Sequence, residues 1–179
     1  MNIKKLFPGQ EEDEVIVLVV REHWFFMLTR VLAWLIFVLV LFLFDRYAPQ
    51  YMPRLFEDPY LNFVNLGKNM YVMFLILGLF MLWTIYYLNV QIITNKRIVD
   101  IWQKGIFSQR ISELTLPNIE DVTSEVKGFW ATVLGYGSVE IQTAGEKENF
   151  LFHNIPEPRE VEKLIINQTG LYKGPKGNE

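Results

Sequence analysis

Two stretches of this sequence constrain the fold more than anything else in it. Residues Trp24–Phe44 read WFFMLTRVLAWLIFVLVLFLF, with Arg30 as the single charge. Residues Met70–Val90 read MYVMFLILGLFMLWTIYYLNV and carry no charge. A helix rises about 1.5 Å per residue, so about 20 residues cross a hydrocarbon layer of about 30 Å. Both windows meet that length. Two buried helices of a soluble core are the alternative, but a chain of 179 residues seldom needs two such runs. The first window is not expected to be a signal peptide. It starts far from Met1, is longer than an h-region, and lacks a small-residue cleavage site. The long side chain of Arg30 is expected to snorkel, because neither window offers an acidic partner. Trp24, Phe25, Tyr86 and Tyr87 lie where aromatic belts form.

Two spans place both ends of the chain on one side. Lys4, Lys5, Arg21, Lys96, Arg97, Lys104 and Arg110 flank the pair. The connector, residues 45–69, has only Arg46, Arg54 and Lys68, offset by Asp45, Glu57 and Asp58. This bias predicts cytoplasmic termini and an extracytoplasmic connector. Pro49, Pro53 and Pro59 suggest that the connector folds back onto the outer membrane surface.

Composition excludes several classes. The net charge of −3 and a pI near 5.5 argue against nucleic-acid binding. With no cysteine, disulfides, thiolate metal sites and cysteine nucleophiles are absent. His23 and His153 are the only histidines and are far apart, so no histidine metal site is expected.

After Gln91 the texture turns to short β-rich runs separated by turns. Val90–Thr94, Arg97–Trp102, Ile106–Leu116, Ile119–Val126, Val139–Thr143 and Phe150–His153 read as strands. Glu14–Arg21, EVIVLVVR, is too short to span a membrane and too apolar to stand exposed. It is expected to add a strand to the later sheet, which makes about seven. The segment 128–137, GFWATVLGYG, places Phe129, Trp130, Val133 and Leu134 on one helical face, with Gly135 to stop the turn. The face either plugs the sheet or forms an aromatic foot dipping into lipid; the plug is the expectation, since exposed tryptophan is usually avoided. A closing helix is expected from Pro156 to Gln168, with Asn154 and Glu157 as a capping box. Val161, Leu164 and Ile165 form its apolar stripe, and residues 169–179 a flexible tail.

Seven strands closed by a helix describe a pleckstrin-homology fold, and the residues resemble one family. The strand ending Thr94-Asn95-Lys96-Arg97, the following Lys104-Gly105-Ile106-Phe107 turn, the Leu134-Gly135-Tyr136-Gly137 block and the Thr143-Ala144-Gly145 turn are similar to the bacterial pleckstrin-homology domain of YdbS-like membrane proteins. The resemblance covers about residues 88–166, and two preceding spans fit that layout. Trp130-Ala131-Thr132-Val133 stands where a basic residue is usual. The resemblance implies a non-catalytic module at the cytoplasmic face of a bacterial membrane.

The expected fold class is therefore a two-helix transmembrane hairpin plus an α+β domain: about seven antiparallel strands in a curled sheet or barrel with a C-terminal helix. Residues 1–23 form the N-terminal cytosolic segment, 24–44 and 70–90 the spans, and 88–168 the PH-like domain. No phosphate loop or nucleophile elbow is present. Glu120 and Asp121 are neighbours in a strand and point to opposite faces, which argues against shared acid–base work. No catalytic residue, metal, cofactor or small-molecule substrate is expected. Lys96, Arg97 and Lys104 are the candidate lipid-headgroup contacts, weighed against ordinary positive-inside topology. The expected partners are the bilayer and a protein or second copy, with the chain acting as a scaffold. The rival readings are a subunit of a membrane enzyme or transport complex, and a small oligomeric channel.

Overall fold

The computed structural model describes residues 10–11, 13–105, 107–143 and 150–173. Lys4, Lys5, the Ala144-Gly145 turn, residues 174–179 and the side chain of Lys104 lie outside the described part.

The two apolar windows form helices α1 (Trp24–Tyr51) and α2 (Tyr60–Leu88), both long and apolar enough to cross a membrane. Neither contains a buried residue, which separates them from the core helices of a soluble protein. α1 runs past its window to Tyr51, whereas α2 begins before its window and stops at Leu88, so that Val90 opens β2. Apolarity reports the surroundings of a helix, whereas an existing helix extends at little cost through polar turns. Residues 52–59 link the two helices, with a short 3-10 turn at Pro53–Phe56. The Tyr71 hydroxyl donates to the Phe37 carbonyl at 2.9 Å, and Lys68 pairs with Asp45 at 2.7 Å. Gly78 lies against the Trp34 indole.

The remaining chain builds a separate unit from Leu88 onward together with the segment ending at His23. One antiparallel sheet holds β1 (Ile16–Val20), β2 (Val90–Thr94), β3 (Arg97–Gly105) and β4 (Ser108–Thr115), in that order. The other holds β5 (Ile119–Glu125), β6 (Tyr136–Thr143) and β7 (Phe150–Pro156). Helix α3 (Phe129–Leu134) joins β5 to β6, and α4 (Pro158–Lys173) follows β7. The core takes Ile93, Ile98 and Leu114 from the first sheet, Val139, Ile141, Phe152 and Ile155 from the second, and Val161 and Ile165 from α4.

The segment before the first apolar helix does enter this sheet. Ile16 pairs with Thr94, Val19 with Ile92 and Val20 with Gln91. An irregularity between Ile16 and Leu18 shifts the alternation, so Leu18 and Val20 face the core while Ile16 packs on the opposite face with Ile92 and Val99.

Two local expectations are corrected. The closing helix starts at Pro158 rather than Pro156. Pro156 still pairs with Tyr136 as the last residue of β7. Pro158 disfavours the helical region for the residue before it, and Glu157 takes φ +48°. The Glu157 carbonyl then accepts from the N–H groups of Glu160 and Val161. Asn154 sits in β7 at φ +54° and is not the cap. The helix also continues past Gln168, taking in the start of the expected tail.

The second correction concerns α3. It is no plug: Phe129, Trp130 and Val133 are 73%, 59% and 60% exposed, and only the Ala131 side chain is buried. Gly128 and Gly135 frame the helix with φ of +98° and +73°, and the Gly135 N–H closes it onto the Ala131 carbonyl.

Candidate functional site

The basic turn singled out in the sequence joins β2 to β3, and all four of its residues engage the N-terminal segment. Arg97 donates to Glu14 through Nε at 3.0 Å and Nη2 at 2.9 Å, and to Glu113 through Nη1 at 2.6 Å. Thr94 adds its hydroxyl to Glu14 at 2.8 Å. Asn95 pairs with Val15 twice: its side-chain oxygen accepts the Val15 N–H at 2.9 Å, and its own N–H donates to the Val15 carbonyl at 3.1 Å. Lys96 pairs with Glu11 at 2.7 Å.

The Glu14 side chain is fully enclosed and Arg97 is 16% exposed. Burial pushes the Glu14 carboxyl up, but hydrogen bonds from Arg97 and Thr94 outweigh it and hold the group below its ordinary value. The hydrogen bond from Arg97 to Glu14 holds the guanidinium above its usual range. The bond to Glu11 does the same for Lys96. A bidentate arginine–carboxylate pair fixes geometry as well as charge. The turn is thus a latch for the strand that precedes the first apolar helix.

Its place in the domain matters too. β2 begins at Val90, directly after α2, and its five residues run about 17 Å at the usual strand rise before the turn is reached. Lys96 and Arg97 therefore sit at the end of the domain remote from its connection to α2, while the backbone of Lys104 returns along β3. The backbone at position 104 is thus separated along β3 from the turn that holds Lys96 and Arg97.

The other singled-out groups disperse. His23 is buried, its N–H donates to the Asn154 carbonyl at 2.7 Å, and its ring lies 5.4 Å from that of Tyr136. Burial lowers its pKa. His153 is exposed on β7, and Glu120 and Asp121 are exposed on β5.

One polar site was missed. Asp100 on β3 lies opposite Gln91 on β2. Burial raises the Asp100 pKa; a hydrogen bond from Gln91 and the charges of Arg110 and His153 pull the other way. Asp100 Oδ1 and Gln91 Oε1 are both enclosed without a hydrogen-bond partner. The signal was present in the sequence: Asp100 shares strand parity with the core residue Ile98. Asp100→Asn is expected to raise the thermal midpoint at pH 7 by roughly 3–5 °C, because the amide removes a buried charge and supplies a donor for Gln91. The carboxyl is raised in the folded state, so its protonated form favours folding and that benefit is lost as pH rises through the raised pKa. The gain from asparagine should therefore shrink as pH falls through that pKa, which thermal melts across pH would show.

The bacterial PH domain family model matches residues 15–169. That span starts just before β1, crosses both apolar helices and ends in α4. The chain belongs to the bacterial PH domain family. A solved structure described as a DUF1696 family protein with a pleckstrin-homology domain, from Shewanella loihica PV-4, is 16% identical, with a TM-score of 0.39, covering 46% of this chain and 71% of that one. No curated protein matches. Within this bacterial PH domain, the Thr94–Arg97 motif has a structural role, fastening the first strand to the second.

Proposed function

We propose that this bacterial PH domain is a non-catalytic interaction module, held by a two-span hairpin at the cytoplasmic face of a bacterial membrane and serving as a scaffold. One observation carries the reading. β1 ends just before α1, β2 starts just after α2, and the two strands are hydrogen-bonded neighbours. Residues 20 and 90 therefore share a compartment, which favours an even number of crossings between them. The seven basic residues flanking the helices, against three in the connector, favour the cytoplasmic side for both termini.

Binding is supported by a groove of about 560 Å³ between β1 and α4, lined by Val17–Arg21 on one side and Glu160, Lys163, Leu164 and Asn167 on the other. β1 is the end strand of its sheet. An extended peptide from a protein partner adds there as a further strand, with main-chain bonds for affinity and the groove for its side chains.

A photo-crosslinking amino acid at Val19, half exposed on β1, tests this in intact cells. The expected result is a discrete protein adduct, absent when the same probe stands at exposed Glu120. No protein adduct at Val19, or equal adducts at both positions, would contradict the module reading.

A further inference from the structure

The apolar surface of α3 lies at a particular place in the domain. The residue preceding α1 is His23, whose backbone is bonded to Asn154 and whose ring rests on Tyr136. Tyr136 opens β6 immediately after the Gly135 that ends α3, and the Gly135 carbonyl accepts the Glu157 N–H at 2.9 Å. The end of the domain that leads into α1 is thus also the end from which Phe129, Trp130 and Val133 project. A second apolar tip adjoins the other connection. Asn89 follows α2 directly, and its side-chain oxygen accepts the Gln103 N–H at 2.6 Å. Val90 pairs with Ile101, so the β3–β4 turn lies beyond Val90, and it carries Phe107 at 97% exposed.

We infer that α3, through Phe129, Trp130 and Val133, and the β3–β4 tip, through Phe107, insert into the headgroup–acyl boundary of the bilayer that α1 and α2 cross. This inference rests on the membrane-spanning reading of those helices. Large aromatics are costly in water and favoured at this boundary. The continuity of both tips with the two chain entries commits the occupant to lipid. At α3 the contact is apolar: Lys127, beside that face, is paired with Glu125 at 2.7 Å. Insertion is therefore expected even in zwitterionic lipid.

The chain has no cysteine, so single cysteines report cleanly. The full chain bearing Val133→Cys or Phe107→Cys, labelled with an environment-sensitive fluorophore, is reconstituted into phosphatidylcholine vesicles without quencher, with shallow spin-labelled lipid, or with deep spin-labelled lipid. Asp13→Cys, in the turn beside Asn95, and Leu77→Cys, within α2, are the references. Positions 133 and 107 are expected to emit at least 15 nm to the blue of position 13 and to lose about half their intensity to the shallow quencher. Emission at 133 and 107 matching that at 13, with 77 still quenched by deep spin-labelled lipid, would overturn the inference and leave the spans intact. Blue emission without lipid quenching would also overturn it, and would assign the face to a protein contact. Failure of quenching at 77 would instead remove the spanning reading on which the inference stands.

Discussion

Replacing Glu14 by alanine is expected to cost the domain about 3 kcal/mol, the low end of the usual loss when one partner of a buried ion pair is removed. The reason lies in the groups left behind. Glu14 is enclosed and receives two bonds from Arg97 and one from Thr94. Without it the guanidinium loses its enclosed, two-point partner and keeps Glu113, which is partly in water. Exposed Lys96 and Glu11 form a contrasting pair, and breaking it should leave the melting curve unchanged. The double variant Glu14→Ala with Arg97→Ala should lose clearly less than the sum of the two single variants, because neither then strands a buried charge. Strict additivity in that cycle would contradict the latch. The pH dependence has a defined sign. The Glu14 carboxyl sits below its ordinary 4.5 when folded, so its stabilisation is present above that value and is lost as pH falls through the depressed one. The Glu14→Ala variant should accordingly lose the corresponding part of the acid transition.

Gly137→Ala is expected to be at least as damaging, at about 3 kcal/mol or more. Gly137 is buried in β6, and a Cβ there would run into the Glu125 carbonyl, with Pro158 Cγ 2.9 Å away. The nearest atom is backbone of the paired strand and cannot swing aside. Relief would require β5 to part from β6, or the start of α4 to shift. Gly135, two residues earlier, differs: nothing lies within 4 Å of its Cβ position, and only its φ of +73° opposes a side chain. Gly135→Ala should cost about 1–2 kcal/mol. Thermal melts of both variants in the same detergent would show the order. A Gly137→Ala protein that melts with the parent would contradict the close approach of β5, β6 and the start of α4 at this position.

These two sites show how far the sequence could be read. The apolar helices and the strand at 16–20 were legible because length and hydrophobic patterning report burial directly. The run EVIVLVVR left little choice: too short to span, too apolar to expose. The latch was not legible, although Thr94–Arg97 stood out as a motif. Glu14 and Arg97 lie 83 positions apart in the chain, and ion pairing leaves no periodicity to find. Lys96 and Arg97 therefore read as surface charge, although Glu11, Glu14 and Glu113 engage them. The orientation of α3 was hidden for a different reason. An apolar helical face has one pattern whether it packs on a sheet or stands exposed, and the burial of Ala131 shows which side of α3 turns inward. The start of α4 was ambiguous because Pro156 and Pro158 both suit a first turn; the pairing of Pro156 with Tyr136 settles it.

One domain is closed by a strand and a chain segment lying on either side of the helical hairpin in the sequence. The most direct measurement uses the cysteine-free background with Val19→Cys and Ile92→Cys, a registered pair in β1 and β2. The full chain is oxidised in native membranes and the linked peptides are identified by mass. A bridge within one chain is expected, and none when Val19→Cys is combined with Glu120→Cys. Absence of the Val19–Ile92 bridge, or its formation only between two chains, would contradict that closure.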